Sequence, residues 1–509
     1  MKGNAMSPRR LPLHPAALAL CLALAACTTT GPDFVKPAPP APDDWTSWRS
    51  GDAALRMPVD PGPSLPERWW EAFGDPVLDQ LQREAVQGSP DLRTAALHFV
   101  QARVQQGTVA AQQWPEVGAY ASAYRQRTSD FGAGTRLIDI LGLPREQIIP
   151  LLVGPYNLYQ AGFDLSWELD FWGRVRRSIE SADADVARQA ALLDLARASL
   201  ASDVARHYLE LRTTQQQVRL TREDMEALQE RLDILDARVR GGVLDHLDLE
   251  RQRTDLSALR AQLPTLLAQE AASANQIALL LGRNPGELRE LLSARPEQTA
   301  RALPDYSLGL PSEVALRRPD IRSAEAQLHR ATAAIGVAQA DLYPSIRIGA
   351  KFGLESYLAG EFADWGSRAW SIGPSLDLPL FDRGRRKSVV QLRELEQQEA
   401  AVAYQRTVLR AWQEIDDALG GYAAERQHRQ EQARRVESAR DAYQLARARY
   451  DGGTTDFVAV LDTQRVYLQA RRDLAASEGR LGVRYVSLNK ALGNGPAEGA
   501  QPGAGSGPQ

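Results

Sequence analysis

The chain has 509 residues, 44% of them hydrophobic and 24% charged, with a formal net charge of −4. That is ample apolar material for a large folded protein, and the mildly acidic balance argues against a nucleic-acid partner. Its 2 cysteines, Cys21 and Cys27, both lie near the N-terminus, so no disulfide framework or cysteine metal cluster can be built from them.

The start explains both cysteines. Arg9 and Arg10 precede the apolar run "LPLHPAALALCLALAAC". Basic residues before a short apolar run mark a secretory signal rather than a spanning helix. The run ends in "LAAC", Leu24 to Cys27, which resembles a bacterial lipobox and implies cleavage before a lipidated Cys27. A plain signal peptide with a chance cysteine would read the same way. Residues 1–26 are therefore expected to leave as a signal, and 27–75 to form a lipidated extended segment. Thr28 stands where an aspartate would, in lipoprotein sorting, hold the chain at the inner membrane, so the outer membrane is implied.

From there the chain is built twice. Residues 76–282 form one repeat and 312–493 another, with a linker at 283–311 and a low-complexity tail at 494–509. "LDFWGRVRRS" around Gly173 matches "LPLFDRGRRKS" around Gly384, and "ARVRGGVLDHLDLERQ" matches "ARYDGGTTDFVAVLDTQ" at the same interval. Upstream, "SPDLRTAALHFVQARV" matches "RPDIRSAEAQLHRATA" at a wider interval, so the first half carries a longer loop between Arg127 and Asn157.

Each half opens with a helix, Pro76 to Gln113 and then Ser312 to Leu342. Two segments of alternating pattern follow. Phe163, Leu165, Trp167, Leu169 and Phe171 fall on one side, against Asp164, Ser166, Glu168 and Asp170 on the other. Ile346, Ile348, Ala350, Phe352 and Leu354 alternate likewise against Arg347, Gly349, Lys351 and Gly353. A period of two predicts strands. Apolar and charged faces on segments of about ten residues suit a transmembrane β-barrel, although a soluble sheet with one wet face alternates in the same way.

Very long helices come next. Gly173 to Val239 holds no proline and no internal glycine, and Val204, Leu211, Val218, Met225, Leu232 and Val239 recur every seventh residue. That is coiled-coil spacing over roughly 100 Å of rod. Gly384 to Tyr450 is its counterpart, with Ile415, Tyr422, Val436 and Tyr443 in the equivalent places. Gly241 and Gly242 then release the helix, and Asp245 caps the next one, where Pro264 predicts a kink. Gly452, Gly453 and Asp456 repeat the turn. Helix-turn chemistry by itself accounts for these glycines. At the strand-to-helix corners Gly173 and Gly384 permit the bend, and Arg174 and Arg385 sit beside it. The histidines are scattered and no nucleophile or phosphate motif stands out, so neither an enzyme nor a cofactor is expected.

Seven further pieces spread over nearly the whole mature chain: "GPDFVKPAPPAPDDW", "RWWEAFGDPVLDQL", "SWELDFWGRVRR", "LPSEVALRRPDIRSAEAQL", "IGVAQADLYPSI", "LPLFDRGRRKS" and "GGTTDFVAVLDTQ". Together they resemble the TolC/OprM-like outer-membrane efflux proteins, the lipoprotein branch that serves RND-type pumps. Val314-Ala315 departs from the Leu-Leu-like pair more usual there.

The resemblance implies a membrane α+β fold. A trimeric, 12-stranded outer-membrane β-barrel, four strands per chain, would continue into a long periplasmic α-helical coiled-coil barrel. Four strands cannot close alone; two chains would make a barrel filled by its own side chains, and three make one wide enough for a conduit. The implied partners are two further copies, outer-membrane lipid, a periplasmic adaptor (membrane fusion) protein docking on Gly241, Gly242, Gly452 and Gly453, and an inner-membrane RND-type pump. The resemblance also places Asp456, with Asp245 as its counterpart, at a periplasmic gate held by neighbours such as Arg449 and Tyr450. The reading is a passive exit duct for drugs or toxic small solutes. A duct for secreted polypeptides and a coiled-coil scaffold without a channel are the alternatives.

Overall fold

A computed structural model of the chain describes residues 29–38, 42, 48–56, 68–242, 245–293 and 311–495. The expected signal 1–26, the lipidation candidate Cys27, residues 294–310 of the expected linker and the tail beyond 495 lie outside the described residues.

In chain order the main elements are α1 (Pro76–Gly88), α2 (Pro90–Ala110), β1 (Glu116–Gln126), β2 (Tyr156–Leu169), α3 (Arg174–Arg240) and α4 (His246–Leu280). Then come α5 (Pro319–Ala340), β3 (Ser345–Ser356), β4 (Arg368–Asp377), α6 (Arg385–Asp451) and α7 (Phe457–Ala491). Short helices at Arg136–Ile140 and Arg145–Val153 lie between β1 and β2, and Pro311–Arg317 precedes α5.

Two expected helices are each divided. The helix expected over Pro76 to Gln113 breaks at Ser89, whose ψ is 121°. The one expected over Ser312 to Leu342 breaks at Arg318. Both breaks precede a proline, whose ring crowds the previous residue out of the α region and which has no N–H to donate. Pro264, by contrast, lies within α4 without ending it. Helices α3 and α6 are both 67 residues long, and α4 and α7 both 35. Burial follows the heptad through Val204, Leu211 and Val218, then passes to Leu228 and Leu235, leaving Met225, Leu232 and Val239 half-buried. A straight helix drifts against a strict seven-residue repeat in that way.

The chain forms two compact units. The first, Met1–Val35, Ala102–Asp185 and Leu328–Ala400, contains an antiparallel sheet in the order β1-β2-β3-β4. Its register sets Val117 against Leu165, Leu165 against Ala350, and Ala350 against Ile372. The next row on that face is Ala119, Phe163, Phe352 and Trp370. The opposite face carries Asp164 beside Lys351 and Glu168 beside Arg347. Phe163, Phe352, Trp370 and Ile372 are all exposed on this single chain. Gly162 and Gly353 face each other, and a Cβ on Gly353 would lie 2.5 Å from the Ala161 carbonyl oxygen and 3.1 Å from the Tyr120 hydroxyl. Glycine here lets two strands and a tyrosine approach closely. Among the described residues β1 and β4 each pair on one side only, so the sheet has two open edges.

The second unit, Lys36–Gln101, Val186–Gln327 and Ala401–Gln509, is helical. Its core gathers Trp69, Leu78, Leu81, Tyr208, Leu211, Ile277, Ile415, Tyr485 and Leu488, each essentially solvent-free. Asp75 joins this core to α1. Its carboxylate accepts from the Val77 amide at 2.9 Å and from the Tyr208 hydroxyl at 2.5 Å. Burial, and then that hydrogen bond, push the Tyr208 phenol well above its ordinary value. Leu228, Leu256 and Leu259 form a smaller cluster between α3 and α4, with Met225 and Leu232 against it.

Candidate functional site

Two places collect the residues that the sequence singled out. The first is the pair of strand-to-helix corners, within the sheet-bearing unit. Gly173 has φ +78° and Gly384 φ +85°, so both corners use the left-handed backbone that glycine enters freely. Each helix start is capped by an aspartate. The Asp170 carboxylate accepts from the Val175 and Arg176 amides at 3.0 and 2.9 Å, and that of Asp382 from the Gly384 and Arg386 amides at 3.0 and 3.2 Å. Those two amides hold the Asp382 carboxyl below its ordinary value. Arg174 grips Glu168 through Nε at 2.7 Å and Nη2 at 2.9 Å, whereas Arg385 is exposed.

A strap that sequence reasoning missed covers the first corner. Thr30 donates its amide and its hydroxyl to the Trp172 carbonyl at 3.0 and 2.9 Å. Buried Arg177 donates to the Thr30 and Gly31 carbonyls and to Asp33, the last at 2.7 Å. A Cβ on Gly31 would lie 2.5 Å from Gly336 Cα, and one on Gly173 would lie 2.8 Å from Thr29 Cγ2. Phe34 stacks on His329 at 4.2 Å. At the second corner a Cβ on Gly384 would meet nothing. "GPDF" after the lipobox was the available signal, but it does not say where the segment lies.

The second place is the pair of hairpin tips, within the helical unit. Gly242 and Gly453 take φ +73° and +69°. The Gly452 amide donates to Ala448, that of Gly453 to Tyr450 and that of Thr454 to Arg449, which ends α6 in a glycine cap. Asp245 accepts from the Leu247 amide at 3.2 Å and Asp456 from the Ala459 amide at 3.1 Å. Both acids are helix N-caps.

The Tyr450 side chain is engaged elsewhere. Among the described residues no hydrogen bond joins Asp456 to Arg449 or Tyr450. Arg449 uses its carbonyl to accept from the Thr454 amide and hydroxyl at 2.9 and 3.0 Å. The Tyr450 hydroxyl accepts from the Arg238 guanidinium on the first hairpin, and its ring lies 5.1 Å from that of Phe457. Short reach decides this. Both tip acids are spent on their own helix amides, while the tyrosine projects sideways off α6.

The same bond recurs one heptad back, where Arg231 donates to the Tyr443 hydroxyl at 2.9 Å. Further along, Arg472 of α7 meets Asp224 of α3 at 2.5 Å, and Arg471 meets Glu223 at 3.0 Å and Asp224 at 3.8 Å. The Asp224 side chain is 2% exposed. Burial pushes its carboxyl up and the two arginines pull it back, leaving it above its ordinary value. Thus α3 and the second hairpin are joined by a ladder of Arg–Tyr and Arg–carboxylate bonds. The shared seven-residue spacing of Arg231 with Arg238, and of Tyr443 with Tyr450, was its only trace in the sequence. Among the described residues no group of acids and histidines could hold a metal ion.

Known proteins share this fold. A model of the family described as outer membrane efflux protein matches residues 81–283 and 310–494. The chain is 33% identical to the pyoverdine export outer membrane protein OpmQ of Pseudomonas putida, over 95% of this chain and 98% of that one. Among solved structures it matches the outer-membrane channel OprN with a TM-score of 0.80 and 31% identity, covering 92% of this chain and 99% of that one. It also matches the open state of the MtrE outer membrane channel of Neisseria gonorrhoeae with a TM-score of 0.77 and 26% identity, covering 92% and 98%.

Proposed function

The chain belongs to the outer membrane efflux protein family, and from that premise we propose that three copies assemble into a passive exit duct for drugs or toxic small solutes. The observation that carries this reading is the sheet. It has one apolar and one charged face, and two open edges. An open edge is forbidden in lipid, so such a sheet must close with other copies, and twelve strands leave a lumen. The helices then form the periplasmic extension, and the energy comes from an inner-membrane RND-type pump reached through a periplasmic adaptor.

In this reading the tips at Gly241, Gly242, Gly452 and Gly453 receive the adaptor, because glycine lets another backbone approach closely. Asp456 and Asp245 lie at the mouth. The Arg238–Tyr450 and Arg231–Tyr443 bonds hold the second hairpin against the first in the resting state, and docking opens the mouth by breaking them. A channel of the same fold is known in an open state, which supports a duct with more than one state. Cys27 carries lipid in this reading, as its lipobox implies, and Cys27→Ser is expected to abolish fatty-acid labelling.

Recordings in planar bilayers, combined with native mass spectrometry, test the duct. Trimers with discrete single-channel conductance are expected. Purified trimers that never conduct would leave only a scaffold.

A further inference from the structure

Both short connections of the sheet leave from the same end. Residues 127–155 join β1 to β2 and residues 357–367 join β3 to β4, while the route from β2 to β3 starts at the opposite end. The first connection is a folded body in its own right. Ile138, Ile149 and Val153 are buried together. Arg145 binds the Asp139 carboxylate at 2.5 and 2.6 Å and donates to the Asp130 carbonyl at 2.8 Å. The same guanidinium lies 4.8 Å from the centre of the Phe131 ring, and Phe131 is 86% exposed.

The second connection repeats the device. Trp365 is 71% exposed. Arg368 donates to its carbonyl at 2.7 Å and sets its guanidinium 4.9 Å from the ring. So each edge strand carries, just beyond its loop end, an exposed aromatic ring backed by an arginine: Phe131 after β1 and Trp365 before β4. An arginine over one face of a ring restricts the ring and leaves the other face free.

Acyl chains are the wrong cover for these rings. The apolar face of the sheet turns polar before the loops begin. Arg125 pairs with Asn157 where β1 and β2 meet their loop, and Arg368 is the loop-end residue of β4 on the same face. Polar side chains at that level mark the edge of the hydrocarbon band, so Phe131 and Trp365 lie beyond it.

Given a barrel closed from copies of this chain, the reading proposed above, β4 of one copy meets β1 of the next. That seam sets the Trp365 loop of one copy beside the Phe131 loop of its neighbour. We infer that Phe131 of one copy packs against Trp365 of the next, so that three such contacts form a collar around the outer rim. Their partner is thus a second copy of this chain, and the longer first loop is the half of the contact that the second repeat lacks.

Double substitution F131C with W365C tests this. The mature chain has no other cysteine than Cys27, which the lipid blocks, so the background is clean. Mild oxidation or a short bis-maleimide in outer membranes is expected to give a ladder up to covalent trimers on denaturing gels, and each single variant none. Trp365→Ala is expected to lower the temperature at which trimers dissociate while leaving single-channel conductance unchanged. Intact trimers by native mass spectrometry with no ladder, or with bridging inside one chain only, would overturn the collar and leave the duct standing. F131C that a membrane-impermeant maleimide labels as fast in folded trimers as in unfolded chain would overturn it too. Protection that depends on added lipopolysaccharide would assign the rings to lipid instead. A protein that stays monomeric would overturn both readings at once.

Discussion

The two helical hairpins of the chain share their lengths and differ in what holds them. Both hairpins join a 67-residue helix to a 35-residue one through a left-handed glycine and an aspartate cap. The first hairpin has a buried apolar cluster of its own, Leu228 with Leu256 and Leu259. The second is tied to α3 by Arg231–Tyr443, Arg238–Tyr450 and Arg472–Asp224. The corners differ too, since the strap from Thr29 to Asp33 packs on Gly173 whereas a Cβ on Gly384 would meet none of the described residues. Apolar burial is non-directional and is lost only by exposing area to water. A hydrogen bond can be exchanged for water at a net cost of about 1 kcal/mol. The second hairpin is thus joined to α3 by directional bonds, whereas the first also shares a buried apolar cluster.

The strongest way to break this contrast is at Asp224. Arg472→Ala leaves a carboxylate that is 2% exposed with only Arg471, 3.8 Å away. A loss of about 3 kcal/mol is expected, read as a lower midpoint in denaturant or heat. Arg435→Ala removes the partner of Asp473 in a pair 45% and 32% exposed, and should stay within about 1 kcal/mol. Equal losses would show that the buried bond is not special.

The corners come next. Gly173→Ala and Gly384→Ala each force a side chain into left-handed backbone, about 1–2 kcal/mol. Only the first also drives a Cβ into Thr29. Gly173→Ala should therefore cost clearly more, and a reversed order in thermal unfolding would mean the strap yields freely.

Tyr450→Phe removes one hydroxyl and about 1 kcal/mol. Raised resting conductance in bilayers is expected, increasing further with Tyr443→Phe. Asp456→Ala is the control that separates cap from gate. If it lowers the thermal midpoint by a loss of about 1 kcal/mol while conductance, selectivity and cation block stay the same, Asp456 only caps α7.

Gly452→Leu isolates docking from folding. A Cβ at Gly452 meets only ordinary contacts, 3.4 Å to the Ala448 oxygen and 3.7 Å to that of Arg449, and its backbone is not left-handed. Trimer yield and thermal midpoint should hold while drug resistance in cells falls; a fallen trimer yield would return the glycine to a folding role.

The smallest effect is a pH dependence. Burial raises the Asp416 carboxyl, but the Ser50 hydroxyl and amide and Arg49 outweigh it and set the group below its ordinary value. Folding therefore gains from this contact above the unfolded value, and the gain is lost as pH falls through the folded value, below about pH 4. Hydrogen exchange around residues 48–56 should rise there, and Asp416→Asn should bring the same rise to neutral pH.

Local rules made much of the molecule legible. A period of two sets the faces of β2 and β3, because successive side chains on a strand point to opposite sides. The left-handed turns at Gly242, Gly453, Gly173 and Gly384 show in the sequence, because other residues strain there. The tip aspartates read as caps, because orphan amides sit within two or three residues of them. Even the divisions at Pro90 and Pro319 were written locally, and a helix drawn across them ignored the constraint on the residue before a proline.

Tertiary packing decided the rest. Arg238 and Tyr450 lie 212 residues apart, and Thr30 reaches Gly336 across 306. Nothing in a seven-residue repeat says which arginine finds which tyrosine, since heptads fix only which face of a helix is buried. The partner follows from the register of whole helices against one another, set by the apolar core from Trp69 to Leu488. For the same reason the sequence around the tip could not show that Tyr450 bonds Arg238 of the first hairpin. The role of that tyrosine depends on how the chain closes behind it, which no neighbouring residue encodes.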